Sequence, residues 1–502
     1  MLSVLLLQLV RRIALPYPTV LAAAGVAIAL LPGTPTIAIE PATSLMVFVA
    51  PALLDAAYDF PLDTARRFWW PLLILAVAGV LLTAAAVAVL GHLAAGLPMA
   101  AAVALGAIVA PPDAAAATAV LRRVSIPRNS EAVLKGESLF NDATALLLFG
   151  GALAVQEHGG LGAGEAVRLV LAVPGGVLFG IVCARLWVVL SRRLSGTLGG
   201  VLMQFVGTML VWDAAQRLQL SAVLALVAYA MTLARGPTQN SQPHVRVHSY
   251  AVWATVVFVL NVLAFLLMGM QARGILDRFP PARLHGALWF AGAVVGCVIA
   301  VRVLVAQGSV QLRNRLRRRA GLPIAATAAQ GMLVGWCGMR GLVTLAAAFA
   351  LPADFPERDL ITLSAFAVVL ATLVIQGATL VPLVRLLGIG RDLDPDAELG
   401  AARASLAEAV LERLDGETGE EATQIGHPYR LARDRHLGVI DDEPARRLRS
   451  LGQEAIGVAR QRLEQLRAEH AIGADSYDTL LSELDWRELS LLPDAERRIE
   501  EA

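Results

Sequence analysis

The 502-residue chain is poor in charge, poor in cysteine and almost without lysine. Only 17% of its side chains are charged, where an average soluble domain carries about 25%. With 57% hydrophobic residues and a mean hydropathy of +0.63, that deficit excludes a single soluble globule. The three cysteines, Cys183, Cys297 and Cys337, lie far apart in apolar runs, which excludes a disulfide framework and a thiolate metal cluster. They read as small buried side chains. Lys135 is the one lysine beside 41 arginines, a bias that reads as genome composition. Acids are scarce in the first part: residues 1–390 carry a net +12 and residues 391–502 a net −11, so the total of +1 is a cancellation. This split also excludes a fully disordered chain and predicts a basic, apolar body (1–390) followed by a polar, acidic tail (391–502). The opening MLSVLLLQLVRRI places its charges after the apolar stretch, the reverse of a secretory signal, so no cleavage is expected.

Long apolar runs are what the chain has instead. A bilayer-crossing helix needs roughly 17–25 mostly apolar residues. Runs that fit or nearly fit lie near 18–32, 43–58, 69–94, 97–121, 132–156, 165–190, 197–216, 220–234, 249–271, 285–311, 325–350 and 360–387. Residues 1–10 resemble half of one more, for about 13 in all. With the tail cytoplasmic, sixteen arginines fall in inner loops and five (Arg217, Arg273, Arg278, Arg283, Arg358) in outer ones, the bias that membrane topology imposes. The expected fold is an all-α polytopic membrane protein with a helical cytoplasmic tail. In that tail, 401–415 and 453–470 have amphipathic helical spacing, with breaks expected at 415–428 and 441–444.

Charges inside a membrane cost at least about 2.5–3.5 kcal/mol each on insertion scales, so each requires a reason. Apart from bases near span ends, they are Asp55, Asp113, Glu137, Asp142, Asp213, Arg302 and Arg340. The densest cluster is Gly136-Glu137-Ser138-Leu139-Phe140-Asn141-Asp142. On a helix, Ser138 stacks with Asp142, and Glu137 with Asn141 on the adjacent stripe. Oxygen ligands of this kind suit hard cations such as Na⁺. In Ala110-Pro111-Pro112-Asp113, two prolines remove two amide donors in mid-span, so the helix must open and leave carbonyls unpaired. Broken helices of this kind mark transporter binding sites. In Gly335-Trp336-Cys337-Gly338-Met339-Arg340-Gly341, glycines flank an arginine that needs a carboxylate, for which Glu137 is the best candidate. Arg302 reads equally as a snorkelling residue, an inter-helix brace or a transport residue, and Asp213 as structural.

GESLFNDATALLL (136–148), the preceding GAIVAPPDAAAATAVLRR and the later GMRGLVTLA resemble the cation–proton antiporter-1 family of sodium/proton exchangers. RRIALPYPTVLAAAG, FVAPALLDAAYDF around Asp55 and VLNVLAFLLMGMQ around Asn261 add to the likeness, which spans about residues 8–390. The resemblance implies inverted repeats, two broken crossing helices and a homodimer in the plasma membrane. It makes Asp142 the carrier of ion or proton, and Asn141 the mark of an electroneutral exchanger. Ser138, Asp113 and Pro112 would line the site, with Asp142 and Ser138 holding Na⁺. Glu137 and Arg340 would form a supporting ion pair, and Asp55, Arg302 and Asn261 could support the site further. One departure stands out: Pro112-Asp113-Ala114 replaces the family's frequent Thr-Asp-Pro, so a threonine hydroxyl is missing and only the Pro112 carbonyl could substitute.

The implied activity is exchange of Na⁺, or Li⁺ or K⁺, for H⁺ in pH and cation homeostasis, with no cofactor, no enzymatic reaction and no nucleic-acid partner. Burial disfavours the charged form of any carboxylate, so proton and cation would compete for the oxygens of Asp142. With Asn141 neutral and Glu137 cancelled, one carboxylate would swap one cation for one proton. The competing readings are a K⁺-preferring exchanger and a cation channel.

Overall fold

The computed structural model describes residues 17–31, 43, 45–60, 62–113, 116–117, 126–160, 162–191, 198–235, 243–323, 326–389, 395–417, 419–436, 442–469, 471 and 474–492. Among them there is no strand. The chain divides into two compact units, Met1–Arg391 and Asp392–Glu501.

In the first unit the apolar runs become helices α1 (Tyr17–Ala29), α2 (Leu45–Tyr58), α3 (Trp69–Ala95), α4 (Met99–Val109), α5 (Arg128–His158), α6 (Ala163–Ser191), α7 (Leu198–Arg217), α8 (Ala222–Leu233), α9 (Pro243–Met270), α10 (Pro281–Arg319), α11 (Ala328–Trp336), α12 (Leu342–Phe349) and α13 (Arg358–Leu386). Among the described residues, six stretches are long and apolar enough to cross a bilayer: α3, α10, α13, and most of α5, α6 and α9. Each of the twelve expected runs from 18–32 to 360–387 contains a helix or a broken pair. The further span at residues 1–10 lies outside the described residues.

Two helices are interrupted where the sequence placed the interruptions. α4 stops at Val109 because Pro111 and Pro112 cannot donate the next helical hydrogen bonds. α11 stops at Trp336, and α12 resumes only after Gly341. α11 starts on a reciprocal cap, in which the Thr327 hydroxyl accepts from the Gln330 amide and the Gln330 side chain accepts from the Thr327 amide.

Packing between the long helices depends on small residues. α1 and α9 meet backbone to backbone: a Cβ on Gly25 would strike the Leu266 carbonyl and Gly269, and one on Gly269 would strike the Ala22 carbonyl. Between membrane helices, where lipid is as apolar as leucine, such close approach is a main source of attraction. The Thr19 hydroxyl, buried, donates to the Leu373 carbonyl at 2.7 Å and ties α1 to a π-helical turn of α13, Thr372–Gln376. Gly25→Val should therefore separate α1 from α9 and cost about 1–3 kcal/mol, the usual range for overpacking. Thermal unfolding in detergent should show the lowered midpoint, and an unchanged midpoint would refute the close contact.

The outward face of α6 is apolar. Along α6, Val170, Leu178, Leu186 and Val189 are all exposed, as residues facing lipid must be. α10 has 39 residues, about 58 Å at 1.5 Å per residue, and exceeds a hydrocarbon core of about 30 Å. Its last turn carries Arg317, Arg318 and Arg319, which complement the negative end of the helix. Asp213 pairs with Arg217 one turn on, at 2.6 Å, in keeping with a structural role.

In the second unit the helices are α14 (Pro395–Leu414), α15 (Glu420–His436), α16 (Asp442–Ala468) and α17 (Ala474–Leu491). The break expected over 415–428 is shorter than the sequence suggests, because α15 continues through Pro428. That proline lies on an exposed face, where water can satisfy the carbonyl it leaves unpaired. Pro444 sits in the first turn of α16, where no amide donor is needed. α16 and α17 are joined by Arg460, which bridges Asp485 and Glu488.

Candidate ion-binding site

The site grows from the two interruptions, which complete one another. Where α4 is cut, its last carbonyls lose their amide partners. Arg340, fully buried, supplies donors instead: Nε to the Val109 carbonyl at 3.0 Å and Nη2 to the Ala110 carbonyl at 3.2 Å. Nη1 turns back to the Gly338 carbonyl. A guanidinium thus sits at the negative end of a half-helix, where the dipole favours a cation. In the other direction, the Asp113 amide donates to the Met339 carbonyl at 2.7 Å, so the two unwound segments cross in direct contact. The Asp113 carboxylate lies against Gly341, the residue that opens α12, so closely that a Cβ there would overlap it. Glycine is required at 341, and an anion rests at the positive end of the second half-helix. Each break lends its charged residue to the other's exposed helix end.

α5 supplies the third side. Asn141, fully buried, donates through Nδ2 to the Pro112 carbonyl at 2.8 Å, while its Oδ1 has no partner among the described residues. Asp142, 8% exposed, has no hydrogen bond or ion pair among the described residues, and the nearest acidic influence on it is Asp113. A small cavity is lined by Pro112, Asp113, Leu134, Glu137, Ser138 and Arg302, together with Ala117 and Cys337.

The expected Glu137–Arg340 pair needs correction. Glu137 is fully buried and grips Arg302 with both oxygens, Oε1 to Nη1 and, at 2.6 Å, Oε2 to Nη2. Arg302 Nη2 also reaches the Val334 carbonyl at 3.4 Å. The reason is one of competing needs. Arg340 is consumed by the last carbonyls of α4, which lack helical donors because the chain unwinds there, whereas Arg302, on unbroken α10, has no such demand. A planar guanidinium can match both carboxylate oxygens at once, which favours this two-point grip. Arg302 is therefore the brace between α5 and α10.

Of the other expected residues, Ser138, Asp113 and Pro112 line the cavity, but the Pro112 carbonyl already accepts the Asn141 amide. Asp55, half-buried on α2, and Asn261, buried on α9, are not among the lining residues. Sequence reasoning does not single out Cys337, which lines the cavity, or Thr372, whose hydroxyl accepts from the Arg340 amide at 3.0 Å. Nothing local in the sequence marks Thr372, since its partner lies 32 residues away.

Known proteins resemble this chain along most of its length. Residues 1–386 match the family model described as sodium/hydrogen exchanger, transmembrane. An uncharacterised Na⁺/H⁺ exchanger of Mycobacterium tuberculosis is 31% identical over 499 residues, covering 95% of this chain and 91% of its own length. The Na⁺/H⁺ antiporter NhaP of Pseudomonas aeruginosa is 30% identical over 359 residues, covering 70% of this chain and 82% of its own. A sodium, potassium, lithium and rubidium/H⁺ antiporter of Bacillus pumilus is 25% identical, covering 92% of this chain and 70% of its own. The solved structure of the sodium proton antiporter MjNhaP1 from Methanocaldococcus jannaschii at pH 8 shares the fold, with a TM-score of 0.62 at 16% identity, over 77% of this chain and 96% of that one. Motifs, crossing helices and these likenesses converge: the chain belongs to the transmembrane sodium/hydrogen exchanger family.

Proposed function

We propose that the protein exchanges Na⁺, or a related alkali cation, for H⁺ across the plasma membrane, and that Asp142 carries both ions in turn. One observation carries the reading: among the described charged groups around the crossing, Asp142 alone has neither a charged partner nor a helix end to neutralise it. Glu137 is matched by Arg302, and Asp113 and Arg340 each neutralise a half-helix end. A single uncommitted carboxylate takes either one proton or one monovalent cation, which makes the exchange electroneutral. Asn141 beside it adds no charge and holds the first break in place through Pro112. Alternating exposure of the site would follow from movement of the bundle that contains the two breaks. In this reading residues 1–390 form the exchanger domain, residues 391–502 a cytoplasmic tail, and two copies a homodimer.

The test is dissipation of an imposed pH gradient in proteoliposomes by Na⁺, Li⁺ or K⁺, at clamped and unclamped voltage. Equal rates under both conditions support electroneutral exchange. Cation current that ignores pH would indicate a channel and overturn the reading. K⁺ belongs in the panel because the Bacillus pumilus relative, alike over 92% of this chain, is named for potassium as well as sodium.

A further inference from the structure

Most threonines in the membrane-embedded helices of this protein follow a rule, from which Thr19, bonded to the Leu373 carbonyl, is excepted. The hydroxyls of Thr83, Thr208, Thr232, Thr255, Thr362 and Thr379 each donate to the carbonyl four residues back. This habit buries a hydroxyl cheaply in an apolar setting. Thr344 departs from it. It lies in the first turn of α12, 1% exposed, and its Oγ1 has no partner among the described residues. The cause is positional: four residues back is Arg340, which belongs to the unwound segment and not to the helix. A buried hydroxyl left unbonded is costly, so such a group calls for a ligand.

The place where this hydroxyl sits narrows the ligand. Thr344 is three residues beyond Gly341 and shares its side of the first turn, and Gly341 is the residue the Asp113 carboxylate touches. At Pro112, the residue before Asp113, Asn141 holds the carbonyl and leaves its own Oδ1 buried and unpartnered among the described residues. Two buried oxygens, Thr344 Oγ1 and Asn141 Oδ1, are thus left without a partner among the described residues on the segments that meet at the crossing. Neutral hydroxyl and amide oxygens beside a carboxylate are the ligand types that suit a hard monovalent cation.

We propose that Thr344 supplies an oxygen ligand to the transported cation, from the second broken helix, opposite the ligands of α5. The assignment rests on the exchange reading above and deepens it by adding a residue that sets affinity and ion preference.

Thr344→Val keeps the shape and removes the oxygen, and Thr344→Ser keeps the oxygen. Two readouts are needed: thermal unfolding of purified protein in NaCl against choline chloride at equal ionic strength, and exchange rate against Na⁺ concentration. For wild type, a midpoint that rises with Na⁺ is expected, since a bound ion stabilises the folded state. Thr344→Val should unfold no earlier than wild type in choline chloride, because no hydrogen bond is lost. Its Na⁺-dependent rise should shrink, and its half-saturating Na⁺ concentration should increase about tenfold, as loss of one hydrogen-bond-strength contact to a charge predicts. Thr344→Ser should behave like wild type in both respects. A Thr344→Val protein with an unchanged Na⁺ response overturns the assignment, as does a Thr344→Ser protein as impaired as Thr344→Val. If Thr344→Val does not fold, the hydroxyl is structural and the assignment also falls. A wild type that neither shifts with Na⁺ nor exchanges it overturns the exchange reading itself, a result distinct from all of these.

Discussion

Asp142→Asn should dissipate an imposed pH gradient no faster than empty vesicles, yet fold and unfold as wild type does. The amide cannot take up a proton or balance the charge of a bound cation, so neither half of the exchange can run. Folding should survive because no hydrogen bond or ion pair among the described residues depends on the carboxylate. Measurement of gradient dissipation and of the unfolding midpoint on the same preparation separates the two predictions. Retained exchange would remove Asp142 from the centre of the mechanism.

The second large effect concerns the brace. Arg302→Ala leaves Glu137 buried and charged, and breaking a buried pair on one side typically costs about 3–5 kcal/mol. Glu137→Gln should cost a comparable amount by stranding Arg302. The double variant Glu137→Gln/Arg302→Met should recover much of the loss, since two neutral groups of similar volume leave no uncompensated charge. A double-mutant cycle between Glu137 and Arg340 should show much weaker coupling, because the Arg340 side chain is held by the carbonyls of Val109, Ala110 and Gly338. Arg340→Ala should act differently, by uncapping α4 and loosening the crossing. Equal coupling of Glu137 to both arginines would contradict this geometry.

Much of the site is legible in the order of residues alone. Proline at 111 and 112 announces its own consequence, because the missing amides are a property of the residue and need no neighbour. The spacing of Glu137, Ser138, Asn141 and Asp142 places four polar side chains on adjoining stripes of one helix by helical geometry. Arg340 stands out because a charge in an apolar run is conspicuous at any depth. Its partners do not stand out. Glu137 lies 203 positions before Arg340 and 165 before Arg302, and spacing on that scale says nothing about distance in space. Thr344 and Thr372 are inconspicuous for the opposite reason: threonine is ordinary in such helices, and only the position of the break makes one of them lack its usual carbonyl.

Apolar helices, two interruptions among them and an oxygen-rich face on α5 are therefore written into the chain itself. They follow from hydropathy, from proline chemistry and from the 3.6-residue turn, all of them local. How the charges are shared is a property of the packed fold. The crossing brings Arg340 to the open carbonyls of α4 and Asp113 to the start of α12, and thereby leaves Glu137 to Arg302. Local chemistry specifies which groups need a partner; the packing of helices distant in sequence specifies which partner each one meets.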